Sequence, residues 1–268
     1  MTSGLKTTLL EEAVKAAREA GRYLRDNIEA EREITYKSSL DLVTNFDRGA
    51  QSLIFERLSR AFPEHGFLGE EDLRRTGRSD FRWVIDPLDG TTNYAHGFPV
   101  FSVSIALEER GDVRLGVVFD PMRNELFQAV AGEGAFLNGR RIRVSAVEDL
   151  EHSLLATGFP YDVRNSPSNN IGHFNRFLVR AQAIRRCGSA AIDLCYVACG
   201  RFDGFWELKL KPWDTAAGVL MIREAGGIVT DFSGGEYRLG DLETLASNGR
   251  IHAEMKKILD FPDRETAP

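Results

Sequence analysis

Two consecutive stretches in the first half of the chain alternate between apolar and small or polar residues. Positions 103–107 and 113–119 both show this alternation, and the turn signal Arg110-Gly111-Asp112 lies between them. Period-two alternation on both sides of a glycine-containing turn predicts paired antiparallel strands. Further strands are expected at 125–130 and across the Asn138-Gly139 turn. The first half is therefore predicted to contain an antiparallel meander.

The pattern is different on either side of this meander. Apolar residues at helical spacing predict a first helix from a capping box at Thr8 to about Ile28, and a second from Asp47 to Ala61. A short strand is expected at 34–37. After about residue 145 strands and helices mix, with strands predicted at 154–158, 205–211 and 228–230 and helices at 170–180, 189–199 and 215–225.

These elements predict an α/β (α+β) fold, with an antiparallel sheet in the first half and a smaller mixed sheet in the second. The halves 1–145 and 146–268 are expected to pack tightly as one unit, because no long linker or low-complexity tract separates them. No apolar run approaches the roughly 20 residues of a membrane helix. The start of the chain lacks the apolar core of a signal peptide, so we expect no membrane association and a cytoplasmic location.

Charge and cysteine content exclude further classes. The formal net charge of −6 gives no dominant basic surface, so nucleic acid is not expected as a main partner. Cys187, Cys195 and Cys199 are odd in number and lack Cys-x-x-Cys spacing. They are predicted to be reduced, mostly buried thiols and not a disulfide framework or a zinc site.

The segment 83–93 combines an apolar run with two carboxylates three positions apart, Asp86 and Asp89. Pro87 is expected to end a strand, and the residues that follow the carboxylates favour a tight turn and a helix N-terminus. Two oxygen ligands beside free backbone N–H groups suit a divalent cation and a phosphate. The same residues also fit an ordinary surface turn followed by a helix cap.

Three other acidic sites allow two interpretations each. Residues 70–72 form an acidic triplet after an apolar strand end, which suits either a metal ligand or a solvated turn. Asp214 precedes a helical segment, and the stretch from Asp41 to Asp47 opens the second predicted helix. A carboxylate in such a position either caps the helix or binds a cation.

Taken together, four segments resemble the inositol monophosphatase family: Asp41-Leu42-Val43-Thr44 with Asp47, Gly69-Glu70-Glu71, the segment 83–93, and Lys211-Pro212-Trp213-Asp214. Their order and spacing match over nearly the whole chain, from the first helix to Gly227. Segments 185–191 and 203–207 are most similar to bacterial inositol-1-monophosphatases. The resemblance implies a layered αβαβα sandwich of the sugar-phosphatase type, a homodimer, and a Li⁺-sensitive phosphate monoesterase that uses two or three Mg²⁺ ions.

The resemblance also implies roles for individual residues. The family's metal ligands fall on Glu70, Asp86, the backbone carbonyl of Leu88, Asp89 and Asp214. The residues that activate the nucleophile fall on Glu71 and Thr91, with Asp47 supporting the threonine. Substrate contacts fall on Gly90 and Thr91 for the phosphate, on Gly188, Ser189, Ala190 and Glu207 for the polyol, and on Arg185, which is expected to reach either the substrate or a dimer interface.

Some positions keep a plain alternative. Glu207 shares the polar face of a predicted strand with two lysines, which by itself indicates a solvated, salt-bridged face. Lys37 matches a basic position near the family's metal loop, or serves solubility only. His96 lies near the central motif, where a structural or gating role is expected.

The expected reaction is hydrolysis of inositol-1-phosphate to inositol and phosphate, with a small phosphorylated polyol or sugar as the partner. Glu207 and the Gly188-Ser189-Ala190 run favour inositol among the family's substrates. The alternatives are fructose-1,6-bisphosphate, histidinol phosphate, a nucleotide phosphate or another small ester. A regulatory or binding protein that keeps the fold without catalysis is the remaining alternative, and the complete set of acidic residues speaks against it.

Overall fold

The computed structural model describes residues 3–36 and 40–261. Within these ranges the helices are α1 (Ser3–Asp26), α2 (Asn45–Ala61), α3 (Thr91–Ala95), α4 (Ile171–Leu178), α5 (Ala190–Ala198), α6 (Pro212–Glu224) and α7 (His252–Leu259). The first-half strands are β1 (Ile34–Tyr36), β2 (Leu42–Thr44), β3 (Gly66–Gly69), β4 (Arg74–Arg75), β5 (Phe81–Asp89), β6 (Ser102–Glu109), β7 (Asp112–Asp120), β8 (Glu125–Val130), β9 (Gly134–Leu137) and β10 (Arg140–Arg141). The second-half strands are β11 (Leu154–Thr157), β12 (Ala183–Arg185), β13 (Gly204–Leu208), β14 (Ile228–Thr230) and β15 (Glu243–Ser247). The expectation for Lys37 lies outside the described residues.

The large sheet has the strand order β10-β9-β8-β7-β6-β5-β3-β4. Strands β5 to β9 pair antiparallel in succession, which confirms the predicted meander. The pair β3–β5 is parallel, so the sheet is not antiparallel throughout. This parallel pair brings the ends of β3 and β5 to the same edge of the sheet, which places the residues that follow β3 beside the end of β5.

The second half forms a five-stranded mixed sheet of order β12-β11-β13-β15-β14. Strand β11 pairs parallel with β12 and β13, whereas β15 pairs antiparallel with β13 and β14. Strands β12 and β15 and helix α7 were not predicted from the sequence. Strand β15 is buried along most of its length and shows no apolar–polar alternation, and β12 is only three residues long.

The sheets and helices stack in five layers. Helices α1 and α2 pack on one face of the large sheet, α5 and α6 lie between the two sheets, and α4 and α7 lie against the outer face of the small sheet. The αβαβα sandwich is thus confirmed. The central apolar core contains residues from both halves, such as Val84 and Phe127 with Leu194 and Ala246. A domain boundary near residue 145 stays a prediction.

Two local predictions are wrong. Pro87 does not end its strand, because β5 continues to Asp89 and its register against β6 shifts between Asp86 and Asp89. A proline, which has no N–H to donate, is tolerated at such an irregularity. Thr8 does not cap α1, since the helix begins five residues earlier and the Thr8 hydroxyl donates to the Gly4 carbonyl at 3.1 Å.

The predictions of reduced cysteines and of no membrane helix can also be compared with the structure. Cys187, Cys195 and Cys199 are free thiols, and Cys195 is fully buried. Of the helices that the structure describes, none is both long enough and apolar enough to span a bilayer.

Candidate active site

A cavity of about 470 Å³ opens where β5 ends and where α5 and α6 begin. The segments around it are far apart in sequence. Strands β3 and β5 and helix α6 each place one stretch of chain beside the cavity. All five residues predicted as metal ligands line the cavity: Glu70, Asp86, Leu88, Asp89 and Asp214. Asp41, from the segment before β2, lines it as well.

Asp86 lies at the irregularity in β5 and is almost completely buried. One of its oxygens, Oδ1, accepts a hydrogen bond from the Leu88 N–H at 3.0 Å. Burial and the neighbouring charges of Glu70, Asp89 and Asp214 raise its pKa well above the ordinary value. Several carboxylates thus repel one another across a small space, and a bound cation would offset this repulsion.

Asp89, the last residue of β5, is bound to the N-terminus of α5. Its Oδ2 accepts hydrogen bonds from the Ser189 hydroxyl at 2.5 Å and from the Ala191 N–H at 2.8 Å, and its Oδ1 accepts one from the Ala190 N–H at 3.3 Å. Burial raises its pKa, while these hydrogen bonds act in the opposite direction. Ser189 and Ala190, predicted as polyol contacts, line the cavity and also orient this carboxylate.

Asp214 is the third residue of α6 and not the residue that precedes the helix. The helix begins at Pro212, whose fixed φ suits a first turn, and Asp214 Oδ2 accepts a hydrogen bond from the Lys211 N–H at 2.6 Å. Burial and the nearby Asp89 raise the pKa of Asp214 to about 7. The carboxylate therefore closes the first turn of α6 while it lines the cavity.

Thr91 and Asp47 are joined, as the resemblance implies. The Thr91 hydroxyl lies 2.9 Å from Asp47 Oδ1 and 3.0 Å from the Leu88 carbonyl oxygen. Asp47 is completely buried at the start of α2, where its Oδ2 accepts hydrogen bonds from the Thr44 N–H and hydroxyl at 2.8 and 2.5 Å. The capping box of α2 thereby holds the carboxylate that faces Thr91.

The turn between β5 and α3 depends on Gly90. Its φ of +101° lies in the left-handed region, and a Cβ there would come within 3.0 Å of the Val100 carbonyl and 3.1 Å of the Gly188 carbonyl. Asn93 joins the same two segments, since its side-chain amide donates to the carbonyls of Val100 and Cys187, each at 2.8 Å. This contact brings the Gly188 loop next to the turn.

Glu207 lies at the other end of the cavity, on β13. A Cβ on Gly158 would clash with Glu207 Oε1, so a larger residue there would displace this carboxylate. Burial raises the pKa of Glu207 to about 8, although Arg186 acts in the opposite direction. The alternative, a regular strand face shared with two lysines, does not form, because β13 ends at Leu208 and Lys209 has a φ of +62°. Lys209 and Lys211 nevertheless line the same cavity as Glu207.

The structure does not bring every predicted residue to the cavity. Arg185 is exposed at the end of the edge strand β12 and is not a lining residue, whereas its neighbour Arg186 is. Consecutive residues of an extended chain point in opposite directions, so Arg186 and not Arg185 faces the cavity. Glu71 and His96 also do not line the cavity; the main-chain groups of Glu71 are paired with the Gln51 side chain, and His96 is exposed after α3. Their predicted roles stay predictions.

Several lining residues were not identified from the sequence. They are Tyr161, Asp162, Asp193, Lys209 and Lys211. Asp193 is 2% exposed, and its Oδ1 has no hydrogen-bond partner among the described residues. Nothing in the sequence marks Tyr161, because it lies in a segment without periodicity. The one sequence signal near Tyr161 is Gly158, because no turn at that position requires a glycine.

The donor set fits a hard divalent cation in its chemistry. Across residues 3–36 and 40–261, no three His, Cys, Asp or Glu side chains are grouped closely enough to enclose a metal ion as they stand. The oxygens of Glu70, Asp86, Asp89 and Asp214 nevertheless surround one cavity. Besides burial, the charges of the other three raise the pKa of Asp86, and the charge of Asp89 raises the pKa of Asp214. Mg²⁺ keeps several of its waters and needs few protein ligands, which suits carboxylates arranged around an open space.

A sequence profile described as the inositol monophosphatase family matches residues 5–261. This chain belongs to the inositol monophosphatase family. Among curated proteins, it is similar to Nus factor SuhB of Escherichia coli strain K12, with 46% identity over 246 residues, 91% of this chain and 92% of that protein.

Solved structures of the family agree with the fold. The extragenic suppressor protein suhB of Bartonella henselae superimposes with a TM-score of 0.90 at 43% identity, covering 94% of this chain and 98% of that one. Inositol monophosphatase from Anabaena (Nostoc) sp. superimposes with a TM-score of 0.87 at 41% identity, covering 96% and 97%. These inositol monophosphatase family relatives therefore match this chain along almost its entire length.

Proposed function

We propose that this protein is a Mg²⁺-dependent phosphate monoester hydrolase. The observation that supports the proposal is the cavity itself, where Glu70, Asp86, Asp89 and Asp214 meet beside the Gly90 turn. Acidic residues alone would repel an anionic ester, so the site requires divalent cations for this function. When bound, Mg²⁺ ions supply charge neutralisation for the phosphoryl group and lower the pKa of coordinated water.

The chain's own residues account for the rest of the site. We infer that the Thr91 hydroxyl, held by Asp47, orients a water molecule for attack and that the backbone N–H groups at Gly90 and Thr91 face the phosphate. A part for Glu71 in this activation rests on the family resemblance alone, because Glu71 does not line the cavity. Ser189 and the first turn of α5 keep Asp89 in place. Such prior positioning lowers the barrier because the protein does not need to reorganise during the reaction.

We propose inositol-1-phosphate as the substrate, in a cytoplasmic homodimer that Li⁺ inhibits. Glu207, Gly188 and Ser189 line the cavity together, and a carboxylate that accepts hydrogen bonds from ring hydroxyls suits a polyol. The solved relative from Anabaena named an inositol monophosphatase supports this choice. Fructose-1,6-bisphosphate, histidinol phosphate and nucleotide monophosphates are the competing esters.

Phosphate release across these four esters, with and without Mg²⁺, tests the proposal. We expect the highest kcat/KM for inositol-1-phosphate and no turnover after chelation.

Asp89→Asn is expected to lower kcat by at least about a hundredfold while the protein stays folded. Asp112→Asn is the matched control, because Asp112 is an exposed residue that does not line the cavity. Faster turnover of another ester would change the substrate, and full activity of Asp89→Asn would refute the metal site.

The names of the curated relatives favour a second candidate, a binding role on the same fold. The E. coli relative is called a Nus factor, which corresponds to the regulatory alternative considered above. Replacing the gene in its native host with the Asp89→Asn variant separates the two candidates. Full rescue of a deletion phenotype by a variant without turnover would support the binding role, and failure of that rescue would support catalysis.

A further inference from the structure

The segment 158–169, between β11 and α4, forms one wall of the cavity. Five consecutive residues of this segment are lining residues: Gly158, Phe159, Pro160, Tyr161 and Asp162. The segment has no helix or strand of its own. Its position therefore depends on specific contacts, and the structure contains two sets of them.

The first set fixes both ends of the segment through Asn170, which is completely buried. The Asn170 amide donates to the Gly158 carbonyl at 2.6 Å and to the Thr157 hydroxyl at 2.9 Å. Its carbonyl oxygen accepts a hydrogen bond from the Trp206 indole N–H at 2.7 Å. One side chain therefore joins the beginning of the segment, its end and strand β13.

The second set holds the middle of the segment through Lys209. The Lys209 ammonium donates to Asp162 Oδ2 at 2.7 Å and to the Ser166 hydroxyl at 2.9 Å. Lys209 has a left-handed backbone with φ of +62°, stabilised by a hydrogen bond from its N–H to the Leu242 carbonyl at 2.6 Å. Such a conformation is unfavourable for a lysine and persists where the surrounding contacts require it. The segment is thus a fixed wall.

Tyr161 belongs to this wall and lines the cavity together with Asp41, Glu70, Asp89 and Asp214. The residue is 54% exposed. An ordinary phenol keeps its proton at neutral pH, so the Tyr161 hydroxyl is a neutral hydrogen-bond donor. The cavity lining contains eight carboxyl groups and three basic side chains, of which Lys209 is already paired with Asp162. Carboxyl groups therefore outnumber basic side chains in the lining, and the Tyr161 O–H adds a neutral hydrogen-bond donor to it.

We propose that Tyr161 is a substrate-binding residue whose hydroxyl donates a hydrogen bond to the phosphate group of the ester, with Asp162 and Lys209 as positioning residues. The inference rests on the proposed hydrolase function and adds a contact that comes from the second half of the chain. A neutral donor suits this position. It can bind a phosphate oxygen without adding a positive charge that would compete with bound cations.

Tyr161→Phe tests the contact, because it removes only the hydroxyl. We expect KM to rise about tenfold for every ester in the panel, and the inhibition constant of inorganic phosphate to rise by the same factor, with kcat changed less than threefold. Tyr196→Phe is the control, since Tyr196 does not line the cavity. Unchanged constants would overturn the inference, and so would a rise limited to polyol esters.

A binding measurement separates this inference from the proposed function. Calorimetric titration of the Mg²⁺-loaded protein with inorganic phosphate needs no turnover. Weaker phosphate binding by Tyr161→Phe than by the unmodified protein would support the contact even if no ester were hydrolysed. Equal binding would refute it even if the enzyme were active.

A double-mutant cycle tests the positioning role of the Asp162–Lys209 pair. Asp162→Asn alone is expected to raise KM severalfold, because the wall loses its ionic contact. In the Tyr161→Phe background the same change should add little, since the hydroxyl that it positions is gone. Fully additive effects, or no effect of Asp162→Asn in either background, would overturn the positioning role.

Discussion

At the scale of single residues, Asp47 joins local structure to the site. Its Oδ2 completes the capping box at the start of α2, and its Oδ1 faces the Thr91 hydroxyl at 2.9 Å. The carboxylate is completely buried, so its loss leaves the groups that it binds without a partner. Stability and, under the proposed function, catalysis are therefore both expected to depend on this side chain.

Asp47→Ala is expected to lower the free energy of unfolding by about 1–3 kcal/mol and to lower kcat as well. Urea unfolding and phosphate release measure the two effects. Thr44→Ser is the matched control, because it keeps the hydroxyl that completes the box. Loss of stability with an unchanged kcat would show that Asp47 does not serve Thr91.

Ser189 has a similar double contact. Its hydroxyl donates to Asp89 Oδ2 at 2.5 Å and accepts a longer hydrogen bond from the Ile192 N–H at 3.4 Å. Ser189→Ala should weaken Mg²⁺ binding roughly 10- to 100-fold and cost about 1 kcal/mol of stability. Calorimetric Mg²⁺ titration checks the affinity, with Ser52→Ala on the exposed face of α2 as control. Unchanged Mg²⁺ affinity would contradict the orienting role.

At the scale of elements, close packing of α6 positions Asp214. Gly218 of α6 lies so near α5 that a Cβ on it would come within 2.6 Å of the Leu194 side chain. Gly116 of β7 lies against α6, where a Cβ would be 3.0 Å from Ala217 Cα. Glycines at these contacts let α6 approach both α5 and the large sheet, which brings its first turn to the cavity.

Gly218→Ala should therefore lower stability by about 1–3 kcal/mol, although the same change in an open helix position normally raises it. Gly4→Ala in α1 is the matched control, because a Cβ there meets nothing within 4 Å. Denaturant unfolding of the two variants measures the contrast. Equal stabilisation of both would show that α5 and α6 adjust without cost.

At the scale of the whole molecule, the cavity is expected to couple folding to pH and, under the proposed function, to metal. The pKa of Asp214 is raised to about 7 and that of Glu207 to about 8, mainly by burial. Between their ordinary and raised pKa values, the folded protein holds protons that the unfolded chain releases. Stability of the metal-free protein must then fall as pH rises through this window.

The metal-free protein is expected to lose roughly 1–3 kcal/mol of stability between pH 5 and pH 8. Saturating Mg²⁺ should reduce this loss, because a cation stabilises the ionised carboxylates of the folded state. Urea unfolding at several pH values, with and without chelator, measures both effects, and Asp214→Asn should flatten the metal-free profile. Constant or rising metal-free stability over the window would contradict the raised pKa values of Asp214 and Glu207.

The sequence by itself determined the meander, most helices and the acidic motifs. Alternation at 103–119 and helical spacing in α2, α5 and α6 are local patterns, and burial of one face follows from them directly. The resemblance of four segments determined the family and the fold. Residues such as Asp86 and Asp89 could be singled out because their chemistry lies in a contiguous motif.

Only the tertiary structure decided which side chains meet in the cavity. Arg186 lines it and Arg185 does not, because the end of β12 turns one of two adjacent arginines away. Tyr161 reaches the cavity through contacts of Asn170 and Lys209, residues without any sequence period in common. Periodicity encodes the direction of a side chain within one element, whereas these contacts depend on distances between elements, which local sequence does not specify.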